Sequence, residues 1–222
     1  MTYGKTVGIR FNEDGSARRF PGNTVVADVT PEVPAYQVMR KLEQMVLDAG
    51  FRDKLILLPA DSYHMTVIQG INDQNRGSDR WPTALPLDAT MEQADAYFAA
   101  AIGRAGLPGP VRMRFHEISA GSTCVMARLQ PADASQEKIL RDFRDRAATE
   151  LGHFIPGHET YRFHISLAYT RIVPEGEDAE RMAALKEEMN ALLASQPPFE
   201  TTRPYIAYFN DMLAYSHEPL PR

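Results

Sequence analysis

The feature that most constrains the fold of this chain is an order of strand, helix, glycine and strand that occurs twice. Each copy ends in a predicted strand that carries a histidine. The first copy comprises residues 24–29, 35–49, Gly50 and His64, and the second comprises residues 122–129, 134–151, Gly152 and His164. In both copies the histidine lies 35 positions after the last residue of the first strand. A duplicated β-β-α-β lobe explains this match, and a chance alignment within a mixed α+β chain is the alternative.

Hydrophobic patterning places the remaining elements. Apolar residues recur at helical spacing in four segments. These predicted helices are 35–49, 91–105, 134–151 and 179–194. Short apolar or alternating runs between turn residues are typical of strands. The predicted strands are 6–11, 24–29, 55–58, 62–69, 110–118, 122–129, 161–170 and 204–210. Residues 70–88 are rich in Asn, Asp, Gly, Arg and Pro and are predicted to form a long loop, of a kind that is often functional.

These elements predict an α+β fold in a single bilobal domain that spans residues 1–222. A chain of 222 residues is long enough to bury a core without disulfides. We expect duplicated β-β-α-β lobes with antiparallel sheets that face a central cleft and with helices outside. The expected parts are a lobe with His64 at 20–90, a lobe with His164 at 107–175, and a C-terminal helix and strand at 176–222 that complete the sheets.

Two of the predicted strands share one arrangement of residue types, which is apolar, histidine, apolar, hydroxyl, apolar. They read Tyr63-His64-Met65-Thr66-Val67 and Phe163-His164-Ile165-Ser166-Leu167. Successive side chains of a strand point to opposite faces. The apolar residues are therefore expected to face the core, while each histidine shares the other face with a hydroxyl. Each strand thus presents a titratable imidazole beside a hydrogen-bond donor.

The spacing of histidine and hydroxyl is weak evidence without its strand context. His158-Glu159-Thr160 has the same spacing, but its central charge and the preceding Pro156-Gly157 indicate a loop. The apolar strand context occurs twice, 100 positions apart, and this favours a function. The alternative is a pair of core histidines bonded to neighbouring hydroxyls. The other histidines are interpreted as surface or structural residues, and they are His116, His153, His158 and His217.

Charge and composition exclude several classes of protein. The formal net charge is −5, whereas proteins that bind long nucleic acid are usually basic, so we expect no genomic DNA partner. The single cysteine, Cys124, permits no intrachain disulfide and is interpreted as a buried apolar residue. The sequence shows no secretory signal and no apolar run long enough to span a bilayer. We expect a cytoplasmic monomer without a membrane partner.

The two histidine strands resemble the signature of the 2H phosphoesterase superfamily, whose members carry two His-x-Thr/Ser motifs on a duplicated bilobal fold. The superfamily includes RNA 2′,3′-cyclic phosphodiesterases and bacterial 2′–5′ RNA ligase-like proteins. In topology the resemblance covers residues 20–210, and at residue level only the two motifs match, as in an uncharacterised branch. The segment before Thr24 and the 70–88 loop depart from the typical pattern and leave the substrate open.

The resemblance implies metal-independent hydrolysis of a 2′,3′-cyclic or 2′–5′ phosphodiester in a small nucleotide or at an RNA end. Such a reaction needs a base at the attacking oxygen and an acid at the leaving oxygen, and imidazole titrates near pH 6.5. By analogy with related phosphodiesterases, His164 is the base and His64 the acid. Thr66 and Ser166 would then donate hydrogen bonds to non-bridging phosphate oxygens.

Two arginines are candidate substrate-binding residues. Arg114 lies in a predicted strand that alternates apolar and basic residues. Arg162 lies two positions before His164 and is expected to share its face. A solvated strand face is the alternative interpretation for both arginines.

Two other functions stay open at the level of sequence. A non-catalytic module that binds a nucleotide or an RNA end would use the same cleft, although two complete pairs of histidine and hydroxyl favour an enzyme. A metal site formed by His64, His116 and His164 is the second alternative. No carboxylate stands at a spacing typical of metal ligands. The sequence therefore predicts neither a metal nor a cofactor.

Overall fold

The computed structural model describes residues 1–221, and within that range the chain forms eight strands and four α-helices. The strands are β1 (Gly22–Asp28), β2 (Leu55–Leu57), β3 (His64–Asn72), β4 (Arg112–Ala120), β5 (Cys124–Pro131), β6 (His164–Thr170), β7 (Phe199–Glu200) and β8 (Tyr205–Phe209). The helices are α1 (Pro34–Asp48), α2 (Met91–Ala105), α3 (Ala134–Leu151) and α4 (Glu177–Ala194). These elements confirm the predicted α+β class.

The strands form one antiparallel sheet in the order β7-β4-β5-β6-β3-β1-β8, and β2 pairs with β6 beside this path. The two halves of the sequence meet where β3 pairs with β6, at Met65 and Ile165. Each histidine strand also pairs with the first strand of its own copy, β1 for β3 and β5 for β6. Both motifs therefore lie at the centre of the sheet.

Both central strands carry a β-bulge at the same place in the repeat. The pairing register shows an extra residue at the end of each motif, Val67 in β3 and Leu167 in β6, and β3 has a second register shift between Gln69 and Asn72. The two bulges lie 100 positions apart, as the two histidines do. A bulge reverses the alternation of faces beyond it. The bulges therefore turn Gln69 and Tyr169 towards the face that carries the histidines.

The apolar residues of the two motifs are buried, as their alternation predicts. Each of them is at most 1 % exposed, and they are Tyr63, Met65, Val67, Phe163, Ile165 and Leu167. The Tyr63 hydroxyl donates a hydrogen bond to Glu43 of α1 at 3.0 Å, so this face of β3 meets a helix. The histidines and hydroxyls between the buried residues are only partly buried.

The helices tie the two halves together. Helix α1 follows β1 in the chain but packs against α4 and β6, and helix α3 follows β5 but also contacts β3. Helix α2 packs against α3 and the strands of the β1 half. The expected lobes at 20–90 and 107–175, completed by 176–222, stay a prediction. Helix α1 of the first range contacts β6 of the second, and helix α3 of the second range contacts β3 of the first. Each range therefore packs against a helix of the other.

The predicted helix ends agree with the structure to within two residues. Thr90 and Gln93 form a capping box at the start of α2, because each side chain bonds to the other residue's backbone. Gly152 follows α3 in the left-handed conformation, with φ 64°. That conformation favours glycine because it has no Cβ. None of the helices in residues 1–221 has both the length and the apolar character that crossing a membrane requires.

The predicted strand at 6–11 is wrong, because this segment forms turns. The carbonyl oxygen of Thr6 accepts the backbone N–H groups of residues 9–11. Gly8 has φ 85°, a left-handed value that interrupts an extended strand. The alternation of residue types does not match the burial of this segment, since Ile9 is 53 % exposed and Thr6 is buried.

The segment before β1 is held against the end of β6. The N–H of Gly4 donates to the carbonyl of Arg171 at 2.9 Å, and the N–H of Lys5 donates to that of Ser122 at 2.8 Å. A Cβ at Gly4 would lie 1.9 Å from the carbonyl oxygen of Thr170. Only glycine permits this close approach, which fixes where the segment crosses the sheet.

The predicted 70–88 loop begins inside β3, which continues to Asn72. Beyond a short 3₁₀ turn at Asp73–Asn75, the rest of it contains neither α-helix nor strand. Trp81 anchors it, because its ring is 4 % exposed and the Arg76 guanidinium lies 4.5 Å from the ring centroid. The loop is thus packed onto the protein.

Candidate active site

The two motif strands place four polar side chains in one cleft. His64 and Thr66 of β3 and His164 and Ser166 of β6 all line a cavity of about 560 Å³. That volume lies within the range of small-molecule sites, roughly 300–1,000 Å³. The cleft joins equivalent residues from both copies of the repeat, and it is the candidate active site.

The pairing of β3 with β6 sets how these four residues face each other. The strands pair at the central residue of both motifs. In antiparallel register, one step along each strand places His64 opposite Ser166 and His164 opposite Thr66. The two histidines are then diagonal neighbours, whose Cα atoms lie roughly 7–8 Å apart in a regular sheet. This spacing leaves room for one phosphate group between the imidazoles.

Both imidazoles are held by the same hydrogen bond. Nδ1 of His64 lies 2.8 Å from the carbonyl oxygen of Ser62, and Nδ1 of His164 lies 3.0 Å from that of Arg162. A carbonyl only accepts, so Nδ1 carries the proton in both rings. The second nitrogen, Nε2, is therefore free to accept a proton when the ring is neutral and to donate one when it is charged.

Burial lowers the pKa of both imidazoles. The pKa of His64 falls to about 4, mainly by burial and also by the charge of His164, against the hydrogen bond to Ser62. The pKa of His164 is lowered by burial first and by the charge of Arg128 as well, against its own backbone hydrogen bond. Both rings are therefore neutral near pH 7 in the free protein. A bound anion would favour protonation of one of them.

Each histidine has a tyrosine beside it. The ring of Tyr215 lies 4.2 Å from His64 between centroids, and that of Tyr161 lies 6.1 Å from His164. The Tyr161 hydroxyl donates to the carbonyl of Thr66 at 3.3 Å. Burial raises the pKa of Tyr161 to about 12 and also raises that of Tyr215. Both phenols stay protonated at neutral pH and act as walls of the cleft.

Cations line the cleft and acids do not. Lys5, Arg10 and Arg80 are among the lining residues, and no aspartate or glutamate of residues 1–221 is. This holds although the whole chain has a net charge of −5. The cleft is therefore suited to an anion. Two of its cations come from the segment before β1 and the third from the 70–88 loop, the two places where the sequence departs from the pattern of the superfamily.

The two predicted substrate-binding arginines do not line the cleft. Arg114 lies on β4, which is separated from β6 by β5. The Arg162 side chain is 74 % exposed and lies 4.0 Å from Glu117. Their part in substrate binding stays a prediction, and the structure offers the three cleft cations in their place.

The remaining candidate groups lie apart from the cleft lining. His158 is buried in the loop after α3, with Nε2 2.8 Å from a carboxylate oxygen of Asp145, as expected of a structural residue. His116 is exposed on β4 and does not join the two motif histidines. Within residues 1–221, no group of three or more His, Cys, Asp or Glu side chains could hold a metal ion. Cys124 is buried, and burial raises the pKa of its thiol.

Comparison with known proteins agrees with this geometry. Residues 10–124, just over half of the chain, match the family model 2H-phosphodiest, described as "Domain of unknown function (DUF1868)". The chain belongs to the 2H phosphoesterase superfamily. Family and fold together indicate a phosphoesterase-type enzyme. No curated protein matches the sequence.

Comparison with solved structures shows that the similarity extends over most of the chain. A conserved protein of unknown function from Agrobacterium tumefaciens str. C58, ATU0111, is 27 % identical with a TM-score of 0.87, over 99 % of this chain and 94 % of that one. E. coli LigT complexed with NADP+ is 11 % identical with a TM-score of 0.50, over 91 % and 96 % of the two chains. LigT therefore shares the fold, and the Agrobacterium protein is similar over nearly its full length.

Proposed function

We propose that the protein hydrolyses a 2′,3′-cyclic or 2′–5′ phosphodiester in a small nucleotide or at an RNA end, without a metal. The observation that carries this proposal is the pair of imidazoles, each held at Nδ1, in a cleft lined by cations and free of carboxylates. That arrangement suits an anionic substrate and two proton transfers. LigT, which shares the fold, is complexed with a nucleotide, NADP+.

The reaction follows from the placement of the four motif residues. With a phosphate between the rings, Nε2 of the neutral imidazole takes a proton from water as its oxygen attacks phosphorus. Nε2–H of the charged imidazole gives a proton to the sugar oxygen that leaves on the opposite side. The hydroxyls of Thr66 and Ser166 donate hydrogen bonds to the non-bridging oxygens as their charge grows. Each hydroxyl lies opposite the other strand's histidine, so both can reach one phosphate.

The neighbours of the histidines support one assignment of roles. Across the paired strands, Arg128 stands opposite His164, and its charge lowers the pKa of that ring. A guanidinium favours the neutral ring, as a base requires. His164 is thus assigned as the base and His64 as the acid. The pKa of His64 is about 4 in the free protein, so the negative charge of the bound phosphodiester must raise it for the ring to take up a proton from solvent.

Hydrolysis in the presence of a chelator tests the proposed function. Purified protein treated with EDTA is expected to open nucleoside 2′,3′-cyclic phosphates or to cleave 2′–5′-linked dinucleotides, because the chemistry needs only imidazoles and hydroxyls. Chromatography of the products is the measurement. Activity that EDTA removes and a divalent cation restores would contradict the metal-free mechanism. Tight nucleotide binding without turnover of either class would identify a binding module.

An aryl phosphodiester separates the base from the acid. Nitrophenolate leaves without needing a proton, so the rate of hydrolysis of bis(p-nitrophenyl) phosphate does not depend on the general acid. His64→Ala is expected to retain at least about tenfold more of the wild-type rate on this ester than on a cyclic nucleotide. His164→Ala is expected to lose similar factors on both substrates. The reverse pattern, measured by initial rates, would exchange the two roles.

A further inference from the structure

A turn before β1 forms one wall of the cleft. The carbonyl of Thr6 accepts the N–H groups of residues 9–11, which closes the turn. Four residues of the turn line the cleft, namely Lys5, Thr6, Ile9 and Arg10. Gly4 fixes the turn beside β6, where no larger residue fits. The two cations of this wall are therefore held in place by backbone contacts.

Arg10 is oriented by aromatic rings and not by an acid. Its guanidinium carbon lies 5.0 Å from the ring centroid of Phe20 and 5.5 Å from that of Tyr169. Nη1 donates to the Tyr169 hydroxyl at 3.2 Å. Within residues 1–221, neither Arg10 nor Lys5 makes an ion pair. The charge of this half-buried guanidinium is thus left for a ligand.

A second observation on the same turn points to a ligand. Thr6 is 5 % exposed, and its hydroxyl has no hydrogen-bond partner. A buried hydroxyl without a partner costs free energy, because it has lost its hydrogen bonds to water and gained none in the protein. Thr6 lines the cleft beside the two free cations, so an anion there would give the hydroxyl an acceptor.

Arg10 stands one side chain away from the reacting centre. It contacts Tyr169, which lies five positions after His164 in β6. Its charge also acts on the phenol of Tyr215, and the ring of Tyr215 packs on His64. Neither motif histidine contacts Arg10. The group that Arg10 binds is therefore a neighbour of the phosphate held between the imidazoles.

We infer that Lys5, Thr6 and Arg10 form a second anion subsite, which takes a second phosphate group of the substrate. This inference rests on the proposed function, since it places the scissile phosphodiester between the histidines. The substrate class is then a phosphodiester with a further phosphate nearby. That phosphate is either a 5′-phosphate on the same nucleotide or an internucleotide phosphate, and both offer the same oxygens to a guanidinium.

Binding of product-like nucleotides tests the subsite without turnover. Adenosine 3′,5′-bisphosphate is expected to bind the wild-type chain at least about tenfold more tightly than adenosine 3′-monophosphate, by calorimetric titration at fixed ionic strength. Arg10→Met keeps an apolar stem between the rings and is expected to bring this ratio close to one. Thr6→Val, which removes only the unpartnered hydroxyl, should lower the ratio and leave the melting temperature equal or higher.

Controls and a second ligand make the outcome specific. Arg19→Gln changes an exposed arginine of the same segment and should keep the wild-type ratio. A dinucleotide with a 3′-phosphate distinguishes the sources, because only an internucleotide phosphate would let it match the bisphosphate. Equal wild-type affinity for mono- and bisphosphate, or a ratio unchanged in both Arg10→Met and Thr6→Val, overturns the subsite. Bisphosphate preference without any hydrolysis would keep the subsite and reject the proposed function, and hydrolysis without that preference would do the reverse.

Discussion

Replacing either motif histidine by alanine is expected to lower kcat by about 10²–10⁴-fold, the usual contribution of a positioned acid or base. His64→Ala and His164→Ala should change substrate affinity much less, because proton transfer is expressed mainly in the transition state. The double variant should lose little more than the worse single variant, since the two rings act on one reaction. Steady-state kinetics on the substrate identified by the hydrolysis screen is the measurement.

The matched control is His116→Ala, which removes an exposed histidine of β4 outside the cleft lining. It should keep the wild-type kcat. Thr66→Val and Ser166→Ala each remove one hydroxyl among several donors, and their loss should be smaller than that of the histidine variants. Wild-type turnover in either histidine variant would contradict the mechanism. A drop in nucleotide affinity alone would indicate that the imidazoles only bind.

The centre of the site could be predicted from the sequence because a strand has a fixed period. Alternation over Tyr63–Val67 and over 163–167 is enough to divide buried from cleft-facing side chains, and the exposures agree. The matched spacing of the two copies brought both histidines to one sheet. These are local rules, so a single sequence suffices to apply them.

The periphery of the site could not be predicted, because it depends on strand order and register. Arg114 alternates correctly within β4, but no sequence rule places β5 between β4 and β6. The bulges at Val67 and Leu167 leave no sequence signal, and they turn Gln69 and Tyr169 into the cleft. Arg10 lies in a segment whose alternation of residue types resembles a strand, so the sequence does not identify it as a residue of the cleft. Its only signal was that this segment departs from the superfamily pattern.

Arg144 joins the two halves beneath the site. It is fully buried on α3, where Nη1 donates to the carbonyl of Val67 at 2.7 Å and Nη2 to that of His158 at 3.1 Å. Its guanidinium lies 4.1 Å from the ring centroid of Tyr161, the neighbour of His164. No carboxylate of residues 1–221 pairs with it, and burial lowers its pKa to about 10. Two carbonyls and one ring thus hold a buried charge.

Arg144→Ala is expected to lower the free energy of unfolding by about 3–5 kcal/mol, because it opens a cavity, removes the donor of the Val67 carbonyl and leaves the His158 carbonyl with only the long bond from the Tyr161 N–H at 3.4 Å. Arg144→Met should cost less, since it fills the space and removes the buried charge. Arg144→Lys should cost at least as much as methionine, because one ammonium keeps the charge but lacks the planar fork that reaches both carbonyls. Urea denaturation measures all three, with the exposed Lys138→Met of the same helix as a control near zero. A lysine variant as stable as the wild type would show that the charge alone, and not the geometry of the fork, holds β3 to the loop at His158.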